Sequence, residues 1–304
     1  MTHALICFGC EGGKFSNNAP RLPVAALAAA SSCEALVLGE DDALVEAVRS
    51  LEGVDRVHVA KGYAGNPESL PAGLKSILDG CTHVFAEETV TGRAFVAACA
   101  ALLGVSPAGS ILRVVDAAHF VKSVYSGGIE QAFETASGPV LATVRTSAFP
   151  RAGARGEPCP VDHLDWQPAA GKTVGMLPAV HTLRPMLSEA DVIVSGGRGL
   201  DARGFAKLSE LADRLHAGLG ATRAAVDAEL APSENQVGQT GQIVAPDVYV
   251  AFGISGAMQH LSGIKDAKTV IAVNTDPEAP IMEVADFALI ADARETVEKL
   301  LDML

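Results

Sequence analysis

Charge is sparse in this 304-residue chain, and basic charge is the sparser kind: 23 Lys and Arg stand against 36 Asp and Glu, a formal net charge of −13. No run of lysine or arginine relieves it. Binding a phosphate backbone without sequence preference needs clustered cations, so nucleic acid and anionic lipid are poor partners. Neutral or basic partners are expected. Charged residues make up 19% and hydrophobic ones 49%, the composition of a chain that buries large sheets and does not remain disordered. Residues 94–112 carry no charge, but Gly104, Pro107 and Gly109 interrupt them. They read as a buried helix over 94–103, a turn and a strand, with no direct membrane insertion. The opening MTHALICFG lacks a basic region ahead of its apolar run, so no secretion signal is expected and a cytoplasmic location follows.

The six cysteines form no disulfide framework, which suits a reducing compartment. Cys7 and Cys10 make a C-x-x-C, a spacing shared by redox motifs and by half of a zinc site. Cys33, Cys81, Cys99 and Cys159 stand alone, so no second ligand pair completes such a site, and all six read as small buried residues. No serine, histidine and acid are arranged for hydrolysis, and no metal ligands cluster. The sequence assigns no catalytic residue and no metal ligand.

What is present is a long alternation of strand and helix patterns. Strands are expected at 4–8, 35–38, 56–59, 83–86 and 110–113, with helices at 21–30, 42–49, 70–78 and 94–103 between them. That rhythm implies a mostly parallel sheet covered by helices. Strand-like runs at 120–125, 129–134 and 140–145, separated by glycine-rich turns, predict an antiparallel extension. Residues 150–168 are rich in proline, glycine and charge, and Pro178 and Pro185 prolong the irregular stretch to 186. The division is placed there: an N-terminal α/β domain over 1–186 and a second α/β domain over 187–304.

The second series opens with a strand at 191–194, the loop SGGRG and a helix over 205–219. Gly197, Gly199 and Ala202 satisfy the dinucleotide pattern G-x-G-x-x-A, which would make the chain a nicotinamide-dependent oxidoreductase. The ribose-binding acid should end the next strand about 20 residues on, and Asp213 and Asp227 fit that place poorly. The stretch 248–276, VYVAFGISGAMQHLSGIKDAKTVIAVNTD, is more informative. An apolar strand at 248–252 runs into a turn from Gly253 to Gly256, then a helix carrying Ala257, Met258, Leu261 and Ile264, then a second apolar strand. Ligands of α/β sheets bind at such strand ends, and a helix opening there points N–H groups at a phosphate.

At these residues the chain resembles the electron transfer flavoprotein alpha subunit. The likeness rests on G-I-S-G-A-x-Q-H-L-x-G from Gly253, N-x-D-P-E-A-P from Asn274, VSGGRGL from Val194, GATRAAVD from Gly220 and QVGQTG from Gln236, in that order. FVKSVYSGG and LATVRTSAF resemble strands of that family's first domain more loosely. The likeness implies a doubly wound FAD-binding domain at the carboxy terminus.

Carried over residue by residue, the likeness also implies a site. Ser255, Gly256 and Ala257 would hold the pyrophosphate, with Arg198 as countercharge. Arg223 would lie beside the isoalloxazine, Thr240 would donate to N5 and His260 would face the C2 carbonyl. Thr222, Val237, Gly238, Gln239, Met258 and Gln259 would line the same pocket, and Asn274 and Asp292 would contact ribose or adenine. A reduced ring carries negative charge that a cationic Arg223 would stabilise, as would protonation of His260 or strong hydrogen donation from it. Asp292 has a second reading, as the cap of a helix beginning near Arg294. The family implies an electron carrier without substrate turnover of its own. It pairs with a beta subunit, accepts electrons from acyl-CoA and related dehydrogenases, and passes them to a membrane quinone reductase. A paralogue serving nitrogen fixation, carnitine reduction or flavin-based bifurcation is the alternative within the family.

Overall fold

A computed structural model describes residues 2–9, 18–39, 41–61, 70–125, 128–135, 138–164 and 184–304. The chain divides into two compact units, Met1–Leu177 and Pro178–Leu304.

In the first unit, strands β1 (His3–Gly9), β2 (Ser32–Leu38), β3 (Arg56–Ala60) and β4 (His83–Glu87) alternate with helices α1 (Leu22–Ala29), α2 (Asp42–Arg49) and α3 (Leu70–Leu78). Helix α4 (Val90–Leu103) and strands β5 (Ala108–Val114), β6 (His119–Val124), β7 (Ile129–Glu134), β8 (Val140–Val144) and β9 (Val161–His163) follow. The nine strands form one sheet in the order β7-β6-β5-β8-β4-β1-β2-β3-β9. Side chains alternate across it, so Ile6 and Phe8 of β1 enter one apolar cluster while Leu5 and Cys7 enter another on the opposite face. Helix α4 begins where the Thr89 hydroxyl accepts from the Gly92 N–H at 3.0 Å, and ends at Gly104 in the left-handed region, φ +67°. Among the described residues no helix is long and apolar enough to cross a membrane.

Two expectations for this unit need correction. Only β6 and β7 extend the sheet in antiparallel fashion; β8 runs parallel between β4 and β5, near the middle of the sheet. All five of its residues are buried, the pattern of a strand covered on both faces. The supposedly irregular 150–164 follows the opposite edge, where β9 pairs in parallel with β3 and the Gly153 carbonyl accepts from the Glu52 N–H at 2.8 Å. A three-residue strand carries no readable period. Cys7 is buried at the end of β1, whereas Cys10 lies outside the described residues.

Among its described residues the second unit holds five strands, β10 (Val192–Gly196), β11 (Gly218–Ala221), β12 (Val248–Phe252), β13 (Thr269–Asn274) and β14 (Phe287–Ile290). All are parallel, in the order β11-β10-β12-β13-β14. Helices α5 (Ala202–Arg214), α6 (Arg223–Asp227), α7 (Met258–Leu261), α8 (Pro280–Val284) and α9 (Ala293–Met303) connect and flank them. The sheet is doubly wound. Strand order reverses between β10 and β12, the switch point outside whose carboxyl ends ligands of such sheets bind. Phe205, Leu208 and Leu211 of α5 join Val297 and Leu301 of α9 on one face; Ile193, Tyr249, Val237 and Ile281 make the core of the other.

Here too the structure corrects two helix expectations. Helix α5 spans Ala202–Arg214, not 205–219, because Gly218–Ala221 form β11. Glycine has little strand propensity, so GLGA does not announce a strand; its small residues suit a crowded place, since a Cβ on Gly218 would meet that of Ala190 at 3.0 Å. The helix expected through Ile264 is the four-residue α7 followed by turns. A helix that short has little macrodipole to offer a phosphate.

Candidate functional site

The loops leaving β10 and β12 meet at the switch point. Their contact explains the glycines. The Gly197 N–H donates to the Phe252 carbonyl at 2.9 Å, and the Gly199 N–H to the Gly253 carbonyl at 3.1 Å. A Cβ on Gly197 would stand 2.2 Å from the Gly253 oxygen. The pattern G-x-G-x-x-A therefore serves backbone-to-backbone packing, and its two glycine donors are spent inside the protein. A pyrophosphate would need those donors free, so this geometry counts against the nicotinamide reading.

The second loop supplies the donors that the first lacks. Gly256 turns the chain at φ +84°, pressed so closely on the start of α8 that a Cβ there would lie 2.4 Å from the Ile281 nitrogen. Among the described residues, no carbonyl accepts from the N–H groups of Ser255, Gly256 or Ala257. Ser255, Ala257, Met258 and Gln259 are exposed. Arg198, exposed on the adjoining loop, has no carboxylate partner among the described residues. Unpaired donors and an unpaired guanidinium at one end of the sheet suit a phosphate-bearing ligand. Asn274 stabilises this loop: its Nδ2 donates to the Ile254 carbonyl at 2.8 Å and its Oδ1 accepts from the Asp276 N–H at 3.0 Å.

A third group of residues is gathered on the far side of β10. Thr222 follows β11 and its N–H donates to the Gly196 carbonyl at 3.0 Å, while its hydroxyl caps α6 by accepting from Ala225. Arg223 is therefore presented at the first position of α6, exposed, with only the exposed Asp227 at 3.6 Å. Such a pair stabilises little and is readily given up. The loop 236–242 is sewn on beside it: the Val237 N–H donates to the Ala221 carbonyl at 2.9 Å and the Gln239 N–H to the Gln259 carbonyl at 2.8 Å. Gly238, at φ +138°, lets that loop lie on the backbone of Gln259 and His260. Thr240 is exposed at its tip, and its hydroxyl oxygen accepts from Gln236 Nε2 at 2.8 Å. That leaves the hydroxyl proton free to donate outward. Gln236 thus orients an expected site residue and was not itself expected.

His260 lies deeper than the residues around it. It is buried, its Nδ1 lying 3.1 Å from the Val237 carbonyl and its Nε2 3.0 Å from the Tyr249 hydroxyl. Both nitrogens face the core. Desolvation lowers its pKa to about 4, so at neutral pH the ring is uncharged here. Asp292, exposed, caps α9 with Oδ1 accepting from the Glu295 N–H at 2.9 Å. Tyr249 and Ser195 beneath the site went unassigned in the sequence. Each sits inside an apolar strand run, and nothing local distinguishes a polar residue that faces another polar residue.

A doubly wound parallel sheet with free backbone donors and exposed arginines outside its switch point defines a nucleotide-cofactor-binding α/β protein. Two family models make the class specific. One described as "Electron transfer flavoprotein domain" matches residues 22–167, and one described as "Electron transfer flavoprotein FAD-binding domain" matches residues 186–265. The chain is 41% identical over 283 residues to the electron transfer flavoprotein subunit alpha of Pseudomonas aeruginosa, covering 91% of each chain. It is 37% identical over 294 residues to that of Paracoccus denitrificans, covering 95% of each. Against that of Bradyrhizobium diazoefficiens it is 43% identical over 237 residues, 77% of this chain and 75% of the relative. The chain belongs to the electron transfer flavoprotein alpha-subunit family, and FAD is its cofactor. The residues present fit that group: FAD brings a pyrophosphate, suited to the Ser255–Ala257 donors and Arg198, and a ring whose reduction adds negative charge, suited to Arg223.

Proposed function

We propose that this chain is the FAD-binding alpha subunit of a heterodimer that relays electrons from acyl-CoA and related dehydrogenases to a membrane quinone reductase. It works in the cytoplasm as a carrier without substrate turnover of its own. The observation that carries the reading is the meeting, at one end of one sheet, of the donors of Ser255–Ala257, the unpaired Arg198, and the Thr240 loop sewn to β11 and Gln259. FAD supplies the redox chemistry. The protein's residues supply placement and charge. Arg198 and the 255–257 amides anchor the pyrophosphate, with Gly256 and Ala257 leaving room for it. Arg223 sets its charge beside the isoalloxazine, where added electrons are stabilised by about 1–2 kcal/mol after solvent screening. Thr240, oriented by Gln236, donates a hydrogen bond toward the ring, and Thr222, Val237, Gly238, Gln239, Met258 and Gln259 shape the wall. Asn274 and Asp292 act at the adenosine end, Asn274 by holding the 253–257 loop. The beta subunit, implied by the family, covers the open side of a site whose side chains are largely exposed in this chain alone.

The test is to purify this chain with its beta subunit, measure FAD per heterodimer, and cleave within 150–186. One FAD retained by the fragment after 187, together with reduction by a panel of reduced dehydrogenases and no NADH turnover, is the expected result. Flavin retained by the N-terminal fragment, or NADH turnover by the holoprotein, would overturn the assignment.

A further inference from the structure

Resting on the flavin placement proposed above, we propose that Ser195 and Tyr249 are positioning residues for the flavin-binding loop, acting through His260 in a one-way hydrogen-bond chain: Ser195 donates to Tyr249, Tyr249 to His260, and His260 to the Val237 carbonyl. The direction follows from the far end. A carbonyl can only accept, so His260 Nδ1, 3.1 Å from the Val237 oxygen, carries the proton. In the neutral ring Nε2 is then a bare acceptor, and the Tyr249 hydroxyl at 3.0 Å must donate to it.

The phenol oxygen keeps acceptor capacity, and one group is placed to use it. Ser195 Oγ is completely buried and has no hydrogen bond of good geometry. Ile193, paired with Tyr249 across β10 and β12, puts Ser195 one step along the same face of the sheet. The serine already opposes the burial that raises the Tyr249 pKa. The proposed bond requires the Ser195 hydroxyl to turn toward the phenol oxygen. Gly220 leaves the space for it, since a Cβ there would stand 2.8 Å from Ser195 Oγ and 3.2 Å from Val237 Cγ2.

The chain of bonds ends where the site begins. Val237 is held on both sides, its N–H by the Ala221 carbonyl and its carbonyl by His260. The loop then continues through Gly238 and Gln239, bonded to Gln259, to Thr240. A displacement of the imidazole is therefore passed to the loop that would face the flavin. Burying an unpaired hydroxyl and an unpaired imidazole would each cost stability; joined, they connect the rigid sheet interior to that loop.

The FAD-replete heterodimer, with 15N-histidine in this chain, gives the test, His260→Gln identifying the resonances. The expected spectrum is a neutral His260 with its proton on Nδ1 and a hydrogen-bonded Nε2. In Tyr249→Phe the Nε2 signal moves to the position of an unbonded imine nitrogen, and FAD dissociates about tenfold more readily, the equivalent of one buried hydrogen bond. Ser195→Ala lowers the melting temperature, whereas loss of a hydroxyl without partners would leave it unchanged or raise it. A proton on Nε2 in the unaltered protein, or a stabilised Ser195→Ala, overturns the chain of bonds. Unchanged FAD affinity in Tyr249→Phe overturns the positioning role while the retained flavin leaves the site assignment standing; flavin found outside the second unit would instead sink the placement on which the proposal rests.

Discussion

Gly197 and Gly253 lie backbone against backbone: a Cβ on the first would stand 2.2 Å from the carbonyl oxygen of the second. The two loops of the switch point can approach this closely only while position 197 has no side chain. Gly197→Ala must push them apart, together with the Arg198 and Ser255 segments they carry. Expected is a loss of about 3 kcal/mol of stability, typical of severe overpacking, with reduced FAD content. Urea unfolding measures it. Gly156→Ala, whose Cβ meets nothing within 4 Å, is the control and should stay within about 0.5 kcal/mol.

Arg223 tests the electrostatic half of the site. Its exposed pairing with Asp227 contributes little to folding, so Arg223→Ala should leave stability nearly unchanged. With FAD bound, the first-electron potential should fall by about 40–90 mV, the equivalent of roughly 1–2 kcal/mol for one electron. Spectroelectrochemical titration of the flavin-replete variant checks this. An unmoved potential would remove Arg223 from the ring's surroundings.

Acid should destabilise the second unit through His260. Its pKa in the folded chain is about 4, below the ordinary value of 6.5, because burial disfavours the charged ring. As pH falls from 6.5, the unfolded chain takes up the proton first, so stability drops until about pH 4 and is unaffected above neutrality. The full loss is about 3 kcal/mol. His83, lowered by burial in the first unit, acts in the same direction. Unfolding free energies of the unaltered chain and of His260→Gln between pH 7.5 and 4.5 separate the two, the variant showing the flatter profile.

The buried thiols should be inert. Burial raises Cys81 to about 11 and Cys99 to about 12, and pushes Cys7 and Cys33 upward as well, so thiolate is scarce at neutral pH. Iodoacetamide labelling followed by mass spectrometry should find these four unmodified in the folded chain and modified in urea. Cys7→Ser with Cys10→Ser should keep dehydrogenase-linked reduction of the flavin. Loss of that reduction with FAD and fold intact would make the C-x-x-C functional.

Much of the fold was legible because it is locally encoded. The apolar runs at β1, β4, β10, β12 and β13 are short, bounded by glycine and alternate with helical periods, which is the signature of parallel strands joined by crossover helices. Glycines at 197, 199, 253 and 256 marked the loops at the strand ends, and the ordered polar residues after them marked a flavin family. Boundaries were less legible where local signals conflict. The helix expected over 205–219 runs into β11 because Gly218-Leu219-Gly220-Ala221 has the apolar content of a helix end and none of the β-branching of a strand.

The sequence by itself determined most of the alternation of strands and helices, the doubly wound class and the glycine loops at the strand ends, since hydrophobic period and turn chemistry act between near neighbours. Tertiary structure alone decided what each side chain faces. The apolar run at β8 says buried, but only pairing with β4 and β5 makes it a central parallel strand. The glycines of the Gly197 loop match a dinucleotide pattern, yet their N–H groups go to Phe252 and Gly253, more than fifty positions along the chain by simple count. His260 stands in a run of exposed site residues, and only the approach of Tyr249 and Val237 turns it inward and holds it neutral. Local periodicity states that a residue is covered; which group covers it depends on contacts between segments remote in sequence, and charge state, donor direction and ligand access follow from those contacts.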